Sequence, residues 1–125
     1  MTVKFANGKE LPYLEAYEAP EYYDNANRRV LRLVFDPAQA ALEEVNALAS
    51  DTDDLMTLTL INDSQNPSAV SVYHNYGLKL GVSLEPVVIG EDAATGAEIR
   101  AERITLKLGR YTPIELQLMR LGLQV

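Results

Sequence analysis

The chain has no cysteine and no tryptophan, and its one histidine is His74. Without cysteine there is no disulfide, no thiol nucleophile and no thiolate metal site. A single histidine also rules out the paired imidazoles of a zinc or iron centre. Basic residues are scarce: 11 Lys and Arg stand against 18 Asp and Glu, a net charge of −7. That balance argues against a nucleic-acid partner, because phosphate binding relies on clustered Lys and Arg. No apolar run approaches the ~20 residues of a membrane-spanning helix. The opening Met1–Gly8 lacks the apolar stretch of a signal peptide. The expectation is a protein with no membrane association, made in the cytoplasm. Its glycines match neither GxxxxGK[ST] nor GxGxxG, so no phosphate loop is present. No metal and no cofactor are expected.

What is there suits one globular domain spanning residues 1–125, with 47% hydrophobic and 23% charged residues. Charge is uneven along it. Residues 1–54 carry 5 basic and 11 acidic side chains, residues 55–97 carry 1 and 4, and residues 98–125 carry 5 and 3. An acidic front and a mildly basic end either meet within the fold, face neighbouring copies, or form a solvated surface.

Val3 and Phe5 alternate with Thr2 and Lys4, and Asn7-Gly8 follows, which reads as a strand entering a hairpin. Lys9–Ala19 reads as extended chain pairing back, and the acidic Pro20–Asn27 as a turn. Arg29–Phe35 is a strand with Leu31, Leu33 and Phe35 on one face. Asp36-Pro37-Ala38-Gln39 has the form of a capping box with proline at the first helical position, predicting a helix over Asp36–Ala49. Leu55–Ile61, Ala69–Tyr76, 78–89 and Ile99–Leu108 read as further strands. Pro86 interrupts the third, and an apolar phase switch between Ala101 and Ile104 suggests a β-bulge in the last. Gly90–Ala97 reads as a loop. Thr112-Pro113-Ile114-Glu115 is a second capping box, with Gly122 as the stop, although the spacing of Leu116, Leu118, Leu121 and Leu123 leaves a terminal strand open. The expected fold is α+β: an antiparallel sheet of six or seven strands curled into a sandwich or partial barrel, with one packed central helix and a C-terminal helix covering an edge or opening.

Candidate chemistry is thin. His74 as a catalytic base needs a nucleophile and an orienting acid, and Tyr73, Asn75 and Tyr76 supply neither; the alternative is a surface or hinge histidine. Asp51-Thr52-Asp53-Asp54 offers oxygen ligands but lacks the mid-loop glycine and closing Glu of a calcium loop. The pairs Glu43-Glu44 and Glu15/Glu18 could act as acid and base only inside a cleft. No catalytic residue is assigned, and an enzyme is not expected. Tyrosine is the exception: Tyr13, Tyr17, Tyr22 and Tyr23 fall within eleven residues, either as sheet cover or as an interface.

Several short pieces, taken in order, resemble small structural proteins of the tail modules of phages and prophages of Gram-positive bacteria. They are Val3-Lys4-Phe5 with Asn7-Gly8, Leu42–Leu48, Val72–Tyr76, and Ile104–Leu108 with Pro113–Leu116. The resemblance implies a non-enzymatic virion or assembly component, made in the bacterial cytoplasm and incorporated in a virion. It would act by self-association or by docking to other tail proteins. The contact residues expected are Tyr13, Tyr17, Tyr22, Tyr23, Tyr73, Tyr76, Leu116, Met119 and Leu123, together with the 90–97 loop. The alternative is a soluble module that binds a small ligand or peptide near Tyr73–Tyr76.

Overall fold

The computed structural model describes residues 1–64 and 66–122. Among them it has eight strands and three helices: β1 (Thr2–Lys4), β2 (Glu10–Pro12), β3 (Glu15–Tyr23), β4 (Ala26–Phe35), α1 (Leu42–Leu48), α2 (Thr52–Leu55), β5 (Thr57–Asn62), β6 (Ala69–His74), β7 (Leu78–Glu91), β8 (Glu98–Gly109) and α3 (Pro113–Arg120). The fold is α+β, as expected, but the strands form two four-stranded antiparallel sheets, ordered β2-β1-β5-β6 and β3-β4-β8-β7. Neither sheet closes into a barrel.

Period-2 alternation decides what goes inside. The first sheet turns Val3, Leu11, Leu58 and Leu60 inward; the second contributes Leu31, Leu33, Phe35, Ile104, Leu106 and Leu108. Val45 and Leu48 of α1 and Leu55 of α2 join the same cluster. Each Leu-sized side chain taken out of water there contributes about 1.5–3 kcal/mol.

Several expectations are corrected. Residues 9–19 are not one extended segment; the chain turns between β2 and β3. The supposed turn Pro20–Asn27 is mostly strand: β3 runs to Tyr23, and the hairpin reverses at Asp24 and Asn25, both at positive φ (50° and 60°). Asp and Asn tolerate that backbone better than most residues, and a two-residue loop with both φ positive is the tight hairpin geometry. Pro20 is accommodated because β3 is an edge strand.

The helix expected over Asp36–Ala49 shrinks to α1. Asp36 still accepts the Ala38 N–H at 2.9 Å, and its carbonyl takes the Ala40 N–H, but this is a single turn that does not propagate. α1 then starts behind Ala41, which offers no side-chain cap. The strand expected over Ala69–Tyr76 stops at His74, because Asn75 sits at φ 71°. The bulge expected in β8 is absent. Two register shifts lie in β7 instead, at Leu80 and Ile89, while β8 runs continuously. The phase switch in β8 arises because its first half leaves the core altogether.

At the C-terminus the capping box forms as the sequence indicates. Glu115 N–H donates to Thr112 Oγ1 at 3.3 Å, and the Glu115 carboxylate accepts the Thr112 N–H at 2.8 Å. Residues 113–120 are helix rather than strand, and Gly122 follows at φ 74°. α3 does not cover an opening between the sheets. It is tied to the outer face of the second sheet, opposite the core, by Arg28. That guanidinium donates to the Tyr23, Asp24 and Arg110 carbonyls and to both oxygens of Glu115, the shortest contact being 2.8 Å. Arg28 is 4% exposed.

Removing one partner of such a pair strands the other charge. Arg28→Ala is expected to lower stability by about 3–5 kcal/mol in urea unfolding. The double replacement Arg28→Met with Glu115→Leu should cost markedly less, since no charge is then left unpaired.

Candidate functional site

The expected contact residues scatter. Tyr13 and Tyr76 are 7% and 4% exposed and belong to the core. Tyr73 is partly buried against that core and lies edge-on to Tyr76, with ring centres 5.7 Å apart. Tyr17, Tyr22 and Tyr23 are exposed on β3. By alternation Tyr22 points to the opposite face from the other two, and Tyr17 stacks on the Arg32 guanidinium at 5.6 Å. The cluster in sequence is therefore divided in space. Leu116 and Met119 are half-buried on α3, and Leu123 lies outside the described residues.

Near Tyr76 the chemistry is already internally satisfied. One Glu18 carboxylate oxygen accepts from Arg29 Nε and from the Tyr76 hydroxyl, each at 2.8 Å. Burial pushes the Glu18 carboxyl up, but the bonds from Arg29 and Tyr76 outweigh it and hold the group below the ordinary 4.5. Burial, reinforced by the bond to Glu18, pushes the Tyr76 phenol up to about 12. An open groove of about 300 Å³ lies over these groups, bordered by Val72, Tyr73 and Arg110. It is the location expected for a bound ligand, yet Glu18, Arg29 and Tyr76 bind one another there.

The acidic run after α1 has structural duties as well. Asp51 caps α2 by accepting the Asp53 N–H at 3.0 Å, and Asp54 accepts from Asn7 Nδ2 at 3.1 Å. Among the described residues no group of three or more His, Asp or Glu side chains is placed to hold a metal ion. No described helix is long and apolar enough to cross a membrane.

The surface that stands out was not singled out as apolar from the sequence. Beyond Ser83 the β7–β8 hairpin leaves the body of the protein, and every residue from Leu84 to Arg100 is exposed. This arm carries Leu84, Val87, Val88, Ile89 and Ile99, between 38% and 52% exposed. Its tip is not a slack loop. Asp92 Oδ1 accepts the Ala94 and Thr95 N–H groups, the Asp92 N–H donates to the Ala97 carbonyl at 2.8 Å, and Gly96 takes φ 71°. At the arm's base an open groove of about 620 Å³ lies between Val87 and Ile89 on one side and Tyr17 and Val34 on the other. The signal in the sequence was the contiguous run Val87-Val88-Ile89. Three apolar residues in a row defeat one-face alternation, as on a strand whose two faces are not divided between core and water.

No protein-family model matches the chain, and no curated protein or solved structure matches it either.

Two carboxylates held low make the fold acid-sensitive. Burial raises the Glu115 carboxyl, but bonds from Arg28 and Thr112 overcome this and keep it below 4.5, as for Glu18. A depressed carboxylate stabilises fully above its unfolded pKa, and that contribution is lost as pH falls through the lower folded value. Stability should therefore fall as pH drops below about 4.5. Glu115→Gln, compared with the wild type by thermal unfolding over a pH series, should flatten that decline while lowering stability at neutral pH.

Proposed function

We propose that this chain is a non-enzymatic structural or assembly protein of a phage-tail-like particle, made in the bacterial cytoplasm and working through contacts with its own copies or with other tail proteins. The observation that supports the reading is the β7–β8 arm. A hairpin that leaves its own core and exposes five large apolar side chains gains little for the isolated chain. Isolated two-stranded ribbons are marginal in water, and exposed contiguous apolar surface marks interaction sites. Set against a neighbour, the same side chains are buried, and the closed Asp92 turn keeps the ordering cost of docking low. The groove at the arm's base, open and partly apolar, suits a neighbouring copy's side chains. The second reading, a module gripping a small ligand or peptide near Tyr73–Tyr76, has the 300 Å³ groove in its favour. It is weaker because the polar groups there are already paired with one another.

The test is molar mass by light scattering on a size-exclusion column, across concentration and salt. The wild type is expected to grow into larger species as concentration rises. The triple variant Val88→Ser, Ile89→Ser, Ile99→Ser should fold with stability within about 1 kcal/mol of the wild type, since all three side chains are exposed, and should form nothing larger than a dimer. A wild type whose mass never rises, or an arm variant that assembles as well as the wild type, counts against the reading.

A further inference from the structure

Among the described residues the two sheets present four edge strands, and three of them are blunted in recognised ways. β2 is three residues long and carries Glu10 and Pro12. β3 carries Glu15, Glu18, Pro20 and Glu21. β7 carries Lys79, Glu85 and Pro86 and is broken by shifts at Leu80 and Ile89. Short length, charge, proline and bulges are the features that keep an edge from recruiting another strand.

β6 has none of them. Its six residues, Ala69-Val70-Ser71-Val72-Tyr73-His74, include no Lys, Arg, Asp, Glu or Pro, and they pair with β5 in unbroken register. Alternate residues of β6 aim their N–H and C=O groups away from β5. Val70 and Val72 are 61% and 50% exposed. Register places them on the outer face beside Ile61 and Thr59 of β5, so their direct cross-strand partners are uncharged and β-branched as well.

We infer that β6 pairs antiparallel with β6 of a second copy across a two-fold axis, joining two four-stranded sheets into one of eight strands. The second copy is the occupant because the edge is complementary to itself. A two-fold places a strand against its own reverse, so each acidic residue of β3 would confront the acidic residues of the other copy. β6 brings no Lys, Arg, Asp or Glu of its own to such a pairing. A two-fold perpendicular to the sheet keeps each side chain on its own face, so a residue must oppose one of like parity. Centred on Val72, the pairing sets Val72 against Val72 and Val70 against His74 of the second copy, burying the exposed valines between strands. Each chain carries −7, so the two copies repel at long range while matching at the edge. Added salt therefore tightens this dimer. The pairing does not depend on the particle reading, and it uses a different sheet from the arm.

The test is sedimentation equilibrium of the wild type, of Val72→Lys and of Val72→Glu, and of a mixture of the two variants. The wild type should dimerise, more tightly as salt rises, and its β6 amides should gain hydrogen-exchange protection with concentration. Each variant alone places like charges face to face and should weaken association by roughly 100-fold. The mixture sets Lys against Glu and should recover a heterodimer. A monomeric wild type, a Val72→Lys dimer as tight as the wild type, or a mixture that stays monomeric overturns the inference. The arm variant Val88→Ser, Ile89→Ser, Ile99→Ser should keep the dimer, so failure of the arm and failure of the edge are read separately.

Discussion

The placement of the C-terminal helix depends on one buried guanidinium. Arg28 lies on the outer face of the second sheet, yet it is nearly inaccessible because α3 and the end of β8 close over it. Its planar fork joins the β3–β4 hairpin, through the Tyr23 and Asp24 carbonyls, to the chain after β8 and to Glu115 of α3. Lysine, with one ammonium, has neither the donors nor the geometry to do this. Room for the side chain is made by Gly109, where an added Cβ would stand 2.9 Å from Arg28 Cδ and 2.7 Å from Leu80 Cδ1. α3 buries none of its described residues fully, so apolar packing alone does not fix it. The capping box and the ion pair share one carboxylate. Glu115 closes its own helix start and holds Arg28 with the same group.

From that anchored end the second sheet runs through the core and out the other side. Leu106 and Leu108 pack in the interior, whereas the opposite end of the same hairpin has no core beneath it. The arm is held by its ladder, by its tip turn and by the link between Arg100 and Glu98, an exposed pair that contributes little. Stability and availability are thus separated along one pair of strands. The half that stabilises the domain is buried and the half that is free to bind is not, so the arm's sequence can vary without disturbing the core.

Much of this architecture was legible because its signals were local. The alternation in Leu31–Phe35 and the Thr112–Glu115 box both name structures that form, since a period-2 stripe and a reciprocal cap need few distant partners. The Asp36–Gln39 box failed on the same logic. Its first bonds do form, but Ala40 is drawn into the core and the helix restarts at Leu42. Pro20 and its acidic neighbours read as a turn because the features that protect an edge strand are also those that punctuate loops. The candidate site was less legible than the fold. Alternation tells which side chains share a face, but not which strand lies at an edge or outruns the core. That is why Tyr13 and Tyr76 sit inside, while Val70, Val72 and the arm's valines lie outside.

The two unprotected features differ in symmetry, and that difference sets what they can build together. A strand edge paired with itself across a two-fold is satisfied once two copies have met, so pairing through β6 alone would close a dimer. An arm that docks in a groove at the base of a neighbour's arm joins unlike surfaces, and such a contact leaves an arm free at one end and a groove at the other. It ends only if the rotation between copies brings the last back to the first. β6 belongs to one sheet and the arm to the other, so the two contacts would draw on different strands of a chain. A dimer formed through β6 still presents two arms and two grooves, and is itself the unit that a ring or filament would repeat.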